Sequence, residues 1–217
     1  MASRNETGED NLLGPQWLHW IKRLQAIAQD GLTYSKDDYD LGRYEQLRAL
    51  ASEMLAAHST GTLEEAAELL TLERGPATPK VDVRAAVFRD NRILLVKEPD
   101  EGGWSVPGGW ADVGESPSEA AARETLEESG FRVKPVRLLA AYDRDRRGHP
   151  PMAYHVYKLV YLCDILDEVP RSDVDTDGAR FFGEQEIPEL SVTRVTRTQI
   201  SRFFEQQRDP NEPADFD

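Results

Sequence analysis

Gly109-Trp110-Ala111-Asp112-Val113-Gly114-Glu115-Ser116-Pro117-Ser118-Glu119-Ala120-Ala121-Ala122-Arg123-Glu124-Thr125-Leu126-Glu127-Glu128-Ser129-Gly130-Phe131 is the most informative stretch of the chain. Pro117 suits the first turn of a helix and Gly130 the position just past its end, so the spacing predicts a helix over about 118–129. On that helix Glu124, Glu127 and Glu128 stand at i, i+3 and i+4 and share one face. Ionised carboxylates this close repel, at a cost on the order of a few tenths of a kcal/mol per i,i+4 pair. A hard divalent cation with oxygen ligands would offset the repulsion, and so would Arg123, four residues before Glu127. The preceding turn, Pro107-Gly108-Gly109, permits close backbone approach for a carbonyl ligand or a phosphate. Taken alone, a row of glutamates is more simply explained as a solvated helix face.

Outward from this helix the chain reads as strands. Val81-Asp82-Val83-Arg84-Ala85-Ala86-Val87-Phe88, the turn Asp90-Asn91 and Ile93-Leu94-Leu95-Val96 predict a β-hairpin. Further strands are expected at 104–106, 131–143, 153–165 and 181–182, and a second helix at 193–207. The segment Gly75-Pro76-Ala77-Thr78-Pro79 marks a boundary. Before it, Trp17, Trp20, Ile21, Leu24 and Ile27 recur at helical spacing between Gly14 and Asp30, with Gly31 as a stop. Tyr44, Leu47, Leu50, Ala51, Met54 and Leu55 predict a second helix, and Thr62 with Glu65 a capping box opening a third. The domains expected are therefore a helical one over 1–75, with 1–13 disordered, and a mixed sheet-and-helix one over 76–217.

Lys and Arg number 26 against 40 Asp and Glu, a net charge of −14. The helical part holds 7 basic and 13 acidic residues and the remainder 19 and 27, so neither half offers the basic face that DNA or long RNA requires. DNA and membrane partners are therefore not expected; the longest apolar runs are far too short to span a bilayer. The lone cysteine, Cys163, cannot form an intrachain disulfide, and a cytoplasmic setting is the expectation.

The stretch matches G-x₅-E-x₇-R-E-U-x-E-E-x-G-U through Gly109, Glu115, Arg123, Glu124, Glu127, Glu128 and Gly130, with Phe131 closing it and Thr125 where a bulky aliphatic is usual. In this it resembles the Nudix hydrolases. Asp30-Gly31-Leu32-Thr33-Tyr34-Ser35, the loop Arg144-Asp145-Arg146-Arg147-Gly148-His149-Pro150-Pro151 and His155-Val156-Tyr157-Lys158 look like the subfamily with a short helical N-terminal domain, whose members include ADP-ribose and CDP-choline pyrophosphatases. The resemblance implies an α/β fold, an α/β/α sandwich around a mixed sheet, preceded by a small all-helical domain. It implies metal-assisted attack of water on the pyrophosphate of a small nucleotide, with Mg²⁺, or Mn²⁺ as substitute, held by Glu124, Glu127 and Glu128. Glu115 and the Gly109 backbone are secondary candidate ligands, and Arg123 supports the cluster.

The general base is expected to be Glu127 or Glu124, or else an acid among Asp164, Asp167, Glu168, Asp173, Asp175 and Asp177. Arg144, Arg146, Arg147 and His149 form the most concentrated basic loop and are candidates to bind the substrate's phosphate or ribose; a solvated hairpin tip explains them equally. Trp104 and Trp110 flank the glycine turn and are read either as base-stacking groups or as anchors. The apolar face of the first helix needs a cover, and a homodimer through the N-terminal helices, with a swapped arm closing over the partner's site, is expected. Two other functions compete: a nucleotide-sensing regulator that binds without cleaving, and a hydrolase of RNA ends.

Overall fold

The computed structural model describes residues 15–99, 102–168 and 178–217; the segment 1–13 and the acids at 173, 175 and 177 lie outside them. The chain divides into two compact units, the described part of Met1–Pro79 with Pro151–His155, and Lys80–Pro150 with Val156–Asp217.

The first unit contains α1 (Gln16–Tyr34), α2 (Asp38–Ala57) and α3 (Leu63–Thr71). Asp37 caps α2 by accepting from the Tyr39 and Asp40 amides, and the Thr62–Glu65 capping box opens α3. Leu18, Ile21, Ala51, Leu55, Ala66 and Leu70 form the core, with Trp17 stacked on His58 at 4.6 Å. The expected apolar stripe is thus centred on Ile21, and its flanks, Trp20 and Ile27, stay exposed at 52% each. Gly31 does not stop α1. It lies inside the helix where α1 meets α2, and a Cβ there would land on the Tyr44 ring. Gly31→Ala is therefore expected to destabilise the unit by about 1–3 kcal/mol through overpacking, outweighing the gain of up to about 1 kcal/mol in helix propensity. Calorimetric unfolding checks this: a Tm equal to or above the parent's would show that the ring yields freely.

The second unit is built on β1 (Lys80–Arg89), β2 (Arg92–Lys97), β3 (Trp104–Ser105), β4 (Gly108–Trp110), α4 (Pro117–Ser129), β5 (Phe131–Asp143), β6 (Val156–Glu168), β7 (Ala179–Gly183), α5 (Arg197–Arg208) and β8 (Asp215–Phe216). The order β3-β2-β1-β6-β5-β8 is mixed: β1 runs parallel to β6 and β5 to β8, and the other pairs are antiparallel. β4 pairs with β1 and β7 with β2. Asp90 and Asn91, both at positive φ, make the expected hairpin turn. Period-two alternation sends Val83 to one face of β1, against Ala120 and Ala121 of α4. It sends Ala86 to the other, against Ile200, Phe203 and Phe204 of α5. Helices thus cover both faces of the sheet, the α/β/α arrangement.

The strand expected at 153–165 runs from 156 to 168, so His155 precedes it, and the helix expected from Thr193 starts at Arg197 behind the Thr196–Gln199 capping box. β4 and β8 are too short for any alternation to reveal them.

Candidate active site

α4 is positioned by its own ends. Ser116 accepts from the Glu119 amide while the Glu119 carboxylate accepts from the Ser116 amide, and Gly130 adopts φ +76 with its N–H on Leu126 O at 2.8 Å. Thr125, in the place of the usual aliphatic, is fully buried, and its hydroxyl donates to Ala121 O at 2.6 Å, so the helix absorbs the departure without exposing a polar group.

Arg123 lies at the centre of the carboxylates. Its Nε and Nη2 donate to both oxygens of Glu115 at 3.1 and 2.7 Å, and its Nη1 donates to Glu124 Oε1 at 2.9 Å and Glu127 Oε2 at 3.0 Å. One guanidinium fork therefore binds the loop acid and two helix acids, leaving one oxygen each of Glu124 and Glu127 outside these pairs. Glu115 is held below the usual carboxylate range by the Arg123 hydrogen bonds and by the Asp112 amide. Burial pushes Glu124 upward. Burial also carries Glu128 up to about 7, with Glu98 and Glu124 adding to the effect and the Gly108 N–H and Arg84 opposing it. That N–H donates to Glu128 Oε2 at 2.9 Å. At Gly109 a Cβ would come within 2.8 Å of Glu124 Oε1, so a side chain there would push this carboxylate out of place.

All four acids offer hard oxygen donors of the kind that Mg²⁺ or Mn²⁺ takes, and Gly109 brings its backbone against one of them. Among the described residues no three such side chains converge on a common point at ligand distance. With Arg123 bonded as it is, side-chain rotation would have to bring the carboxylates together. The donor chemistry fits the cation.

The basic loop does not form one exposed cluster, and at Arg144 and His149 it is not the solvated hairpin tip that was one of the two expectations. Arg144, 2% exposed, donates to Pro150 O and Thr193 O, at 2.8 and 3.3 Å. His149 is 7% exposed; Nδ1 donates to Val192 O at 2.8 Å, which leaves Nε2 to accept from the Gln199 amide at 3.2 Å. Arg146 faces Asp143 at 3.5 Å; Arg147 pairs with Asp217 at 2.8 Å and lies over the Tyr142 ring. Arg144 and His149 are engaged by carbonyls and by Gln199 because burying them without partners would be costly.

Burial, with Lys158 and Arg144 adding to it, lowers His149 to about 4 from its ordinary 6.5. Between those values the unfolded chain binds the proton and the folded chain does not. Stability is therefore full above about pH 6.5 and falls as the pH drops toward 4, by on the order of 3 kcal/mol. His149→Gln is expected to flatten the fall in Tm between pH 6.5 and 4.5; an unchanged slope would remove His149 as its source.

Trp104 is anchored edge-on to Phe182 at 4.9 Å, whereas Trp110 ends β4 at 45% exposure. Asp167 faces Arg132 at 3.5 Å and Glu168 faces Arg89 at 3.9 Å. Cys163 is buried, and burial pushes its thiol up to about 12. No helix among the described residues is long and apolar enough to cross a membrane. Sequence reasoning missed the buried Asp82, Arg84, Glu98 and Lys158. For Asp82, Arg84 and Lys158 the only signal was charge on strand positions, which usually denotes a solvent face, and Glu98 follows the end of β2 with no signal of its own.

Comparison with known proteins agrees with this geometry. The family model described as "NUDIX domain" matches residues 78–203, and one described as "UDP-X-like, N-terminal oligomerisation domain" matches residues 15–70. A Bacillus subtilis (strain 168) protein named "Putative ADP-ribose pyrophosphatase YjhB" is 44% identical over 202 residues, covering 93% of this chain and 97% of its own. A crystal structure of a UDP-X diphosphatase is 37% identical with a TM-score of 0.60, covering 93% of this chain and 98% of that one. A crystal structure of an ADP-ribose pyrophosphatase from Streptococcus suis is 32% identical with a TM-score of 0.56, over 64% of this chain and all of that one (100%).

Proposed function

Since the chain belongs to the Nudix family and is a Nudix pyrophosphatase, we propose that it cleaves the pyrophosphate bond of a nucleoside diphosphate linked to another group, with ADP-ribose first among the substrates. The observation that carries this reading is the arrangement of three carboxylates, Glu115, Glu124 and Glu127, around Arg123 on a domain of that family. The names of the Bacillus and Streptococcus relatives favour ADP-ribose, and that of the UDP-X diphosphatase makes uridine diphosphate conjugates the second class to test. CDP-alcohols remain a third.

Glu124, Glu127 and Glu128 would hold a divalent cation, Mg²⁺ or Mn²⁺, with Glu115 and the Gly109 backbone as further ligands. When bound, the ion supplies charge neutralisation to the diphosphate and acidity to a water molecule. Arg123 keeps Glu115, Glu124 and Glu127 together while they are ionised. Glu127, half-exposed, or Glu124 accepts the proton of the water that attacks phosphorus, and the bridging P–O bond breaks to give a nucleoside monophosphate and a phosphorylated remainder. The exposed Trp20 and Ile27 on a domain of the oligomerisation class support a homodimer through the helices. Light scattering at micromolar concentration tests it, and a monomer mass would count against it.

The deciding experiment incubates the protein with Mg²⁺ or Mn²⁺ and ADP-ribose, a UDP-sugar, CDP-choline or a capped RNA, identifying products by mass. AMP with ribose 5-phosphate is the expected result. Turnover of none of the four would refute the proposal and leave the nucleotide-binding regulator as the better reading.

A further inference from the structure

Behind the turn that leads into the glutamate helix lies a set of buried charged side chains that belong to the strands. Arg84, 2% exposed, donates from Nε and Nη2 to the two oxygens of Asp82 at 2.8 and 2.9 Å and from Nη1 to Val106 O at 3.3 Å. Lys158, in register with Asp82 across β1 and β6 and also 2% exposed, places Nζ 3.2 Å from Asp82 Oδ1. The Gly108 backbone rests directly on the Arg84 stem: at its φ of +143 a Cβ would meet Arg84 Cα at 2.8 Å and Cδ at 2.9 Å. From this same glycine the N–H reaches Glu128.

We propose that Arg84, oriented by Asp82 and Lys158, is a positioning residue of the glutamate site. It fixes the Val106–Gly109 turn from behind, so that the Gly108 amide holds Glu128 in line with Glu124 and Glu127. The inference rests on the reading of these glutamates as cation ligands.

Stability alone does not account for the set. Each buried ion loses its hydration, and apolar residues of similar volume commonly replace buried ion pairs with no loss of stability. Geometry does account for it. With two of its nitrogens committed to Asp82, the planar fork leaves Nη1 one direction, toward Val106 O. A lysine, a flexible point charge, cannot make both contacts. Asp82 also faces Lys158, so it is pinned from two sides and cannot swing away with the arginine. Ser105 Oγ, 3.2 Å from the same carbonyl, gives its proton to the buried Glu98, whose other oxygen lies 3.0 Å from Arg194 Nε.

The test compares the parent with the apolar triple variant Asp82→Leu/Arg84→Met/Lys158→Met and with Arg84→Lys. Mn²⁺ affinity is read by electron paramagnetic resonance without substrate, Gly108 amide exchange by NMR in metal-free protein, and kcat and KM with ADP-ribose. The triple variant is expected to fold, to bind Mn²⁺ about 10–100-fold more weakly and to lose kcat by a similar factor, with KM little changed. Gly108 exchange should rise about tenfold as its bond to Glu128 loosens. A folded triple variant with Mn²⁺ affinity and kcat within about twofold of the parent overturns the inference, since a supporting residue should cost far more than that. A rise in KM alone also overturns it, because that would mark contact with substrate. If the triple variant does not fold, Arg84→Lys decides: a loss of about tenfold in Mn²⁺ affinity and kcat supports the inference, and parental values overturn it. A parent that binds no Mn²⁺ overturns the cation reading itself and the positioning role with it.

Discussion

Glu127→Gln is expected to lower kcat by on the order of a thousandfold while the protein remains folded. The Glu127 side chain is 50% exposed and makes one contact with Arg123, at 3.0 Å, so little packing or pairing is lost. The amide has nearly the same shape as the carboxylate but no charge, and it cannot accept a proton from an attacking water. If Glu127 both faces a cation and serves as base, both functions fail together, and added Mg²⁺ should recover little. Steady-state kinetics over a Mg²⁺ series, with circular dichroism as a folding control, gives the answer. Turnover within threefold of the parent would remove Glu127 from both roles.

Arg123→Ala should act through charge instead. The substitution leaves Glu115, Glu124 and Glu127 near one another without the guanidinium that offsets their charge. The carboxylates are then expected to splay, with kcat falling by about 100-fold, at the upper end of what supporting residues of metal sites cost. Stability should change by no more than about 1 kcal/mol, because the arginine is 31% exposed and its pairs are screened by water. Unlike Glu127→Gln, this variant should regain part of its activity as Mg²⁺ rises, since an added cation can replace the missing positive charge. Arg123→Lys should rescue only partly, a point charge being unable to fork among three carboxylates. Parental activity of Arg123→Ala at every Mg²⁺ concentration would refute the supporting role.

The helices, the hairpin and the long strands were legible because each repeats a period long enough to register: Pro117 and Gly130 bracket α4, and Thr62 with Glu65 opens α3. Gly31 misled because a glycine that ends a helix and one that admits a neighbouring ring look the same until the packing is known. The spacing of Glu115, Arg123, Glu124 and Glu127 could be read along the chain, and three of those four lie on one helix. Arg84 and Lys158 could not be found that way, because they lie 74 residues apart and meet Asp82 only through the β1–β6 register. The basic loop looked like a surface feature by composition, yet Arg144 and His149 are buried, since an arginine's charge does not disclose whether backbone carbonyls await it.

The parallel pairing of β1 with β6 sets the order in which this domain can assemble. It joins Lys80 to Val156, 76 positions apart, and the elements that carry the glutamates and their turn, β4 and α4, lie between these two residues. Closing so long a loop is entropically slow, so this unit should fold on the millisecond-to-second scale typical of long-range sheets, well behind the locally connected helices. Glu128 can reach the Gly108 amide only once β4 has docked on β1. A newly made chain therefore lacks the complete acidic site: Glu124 and Glu127 share a face as soon as α4 forms, but Glu128 gains its Gly108 partner only after the strand at its back has docked.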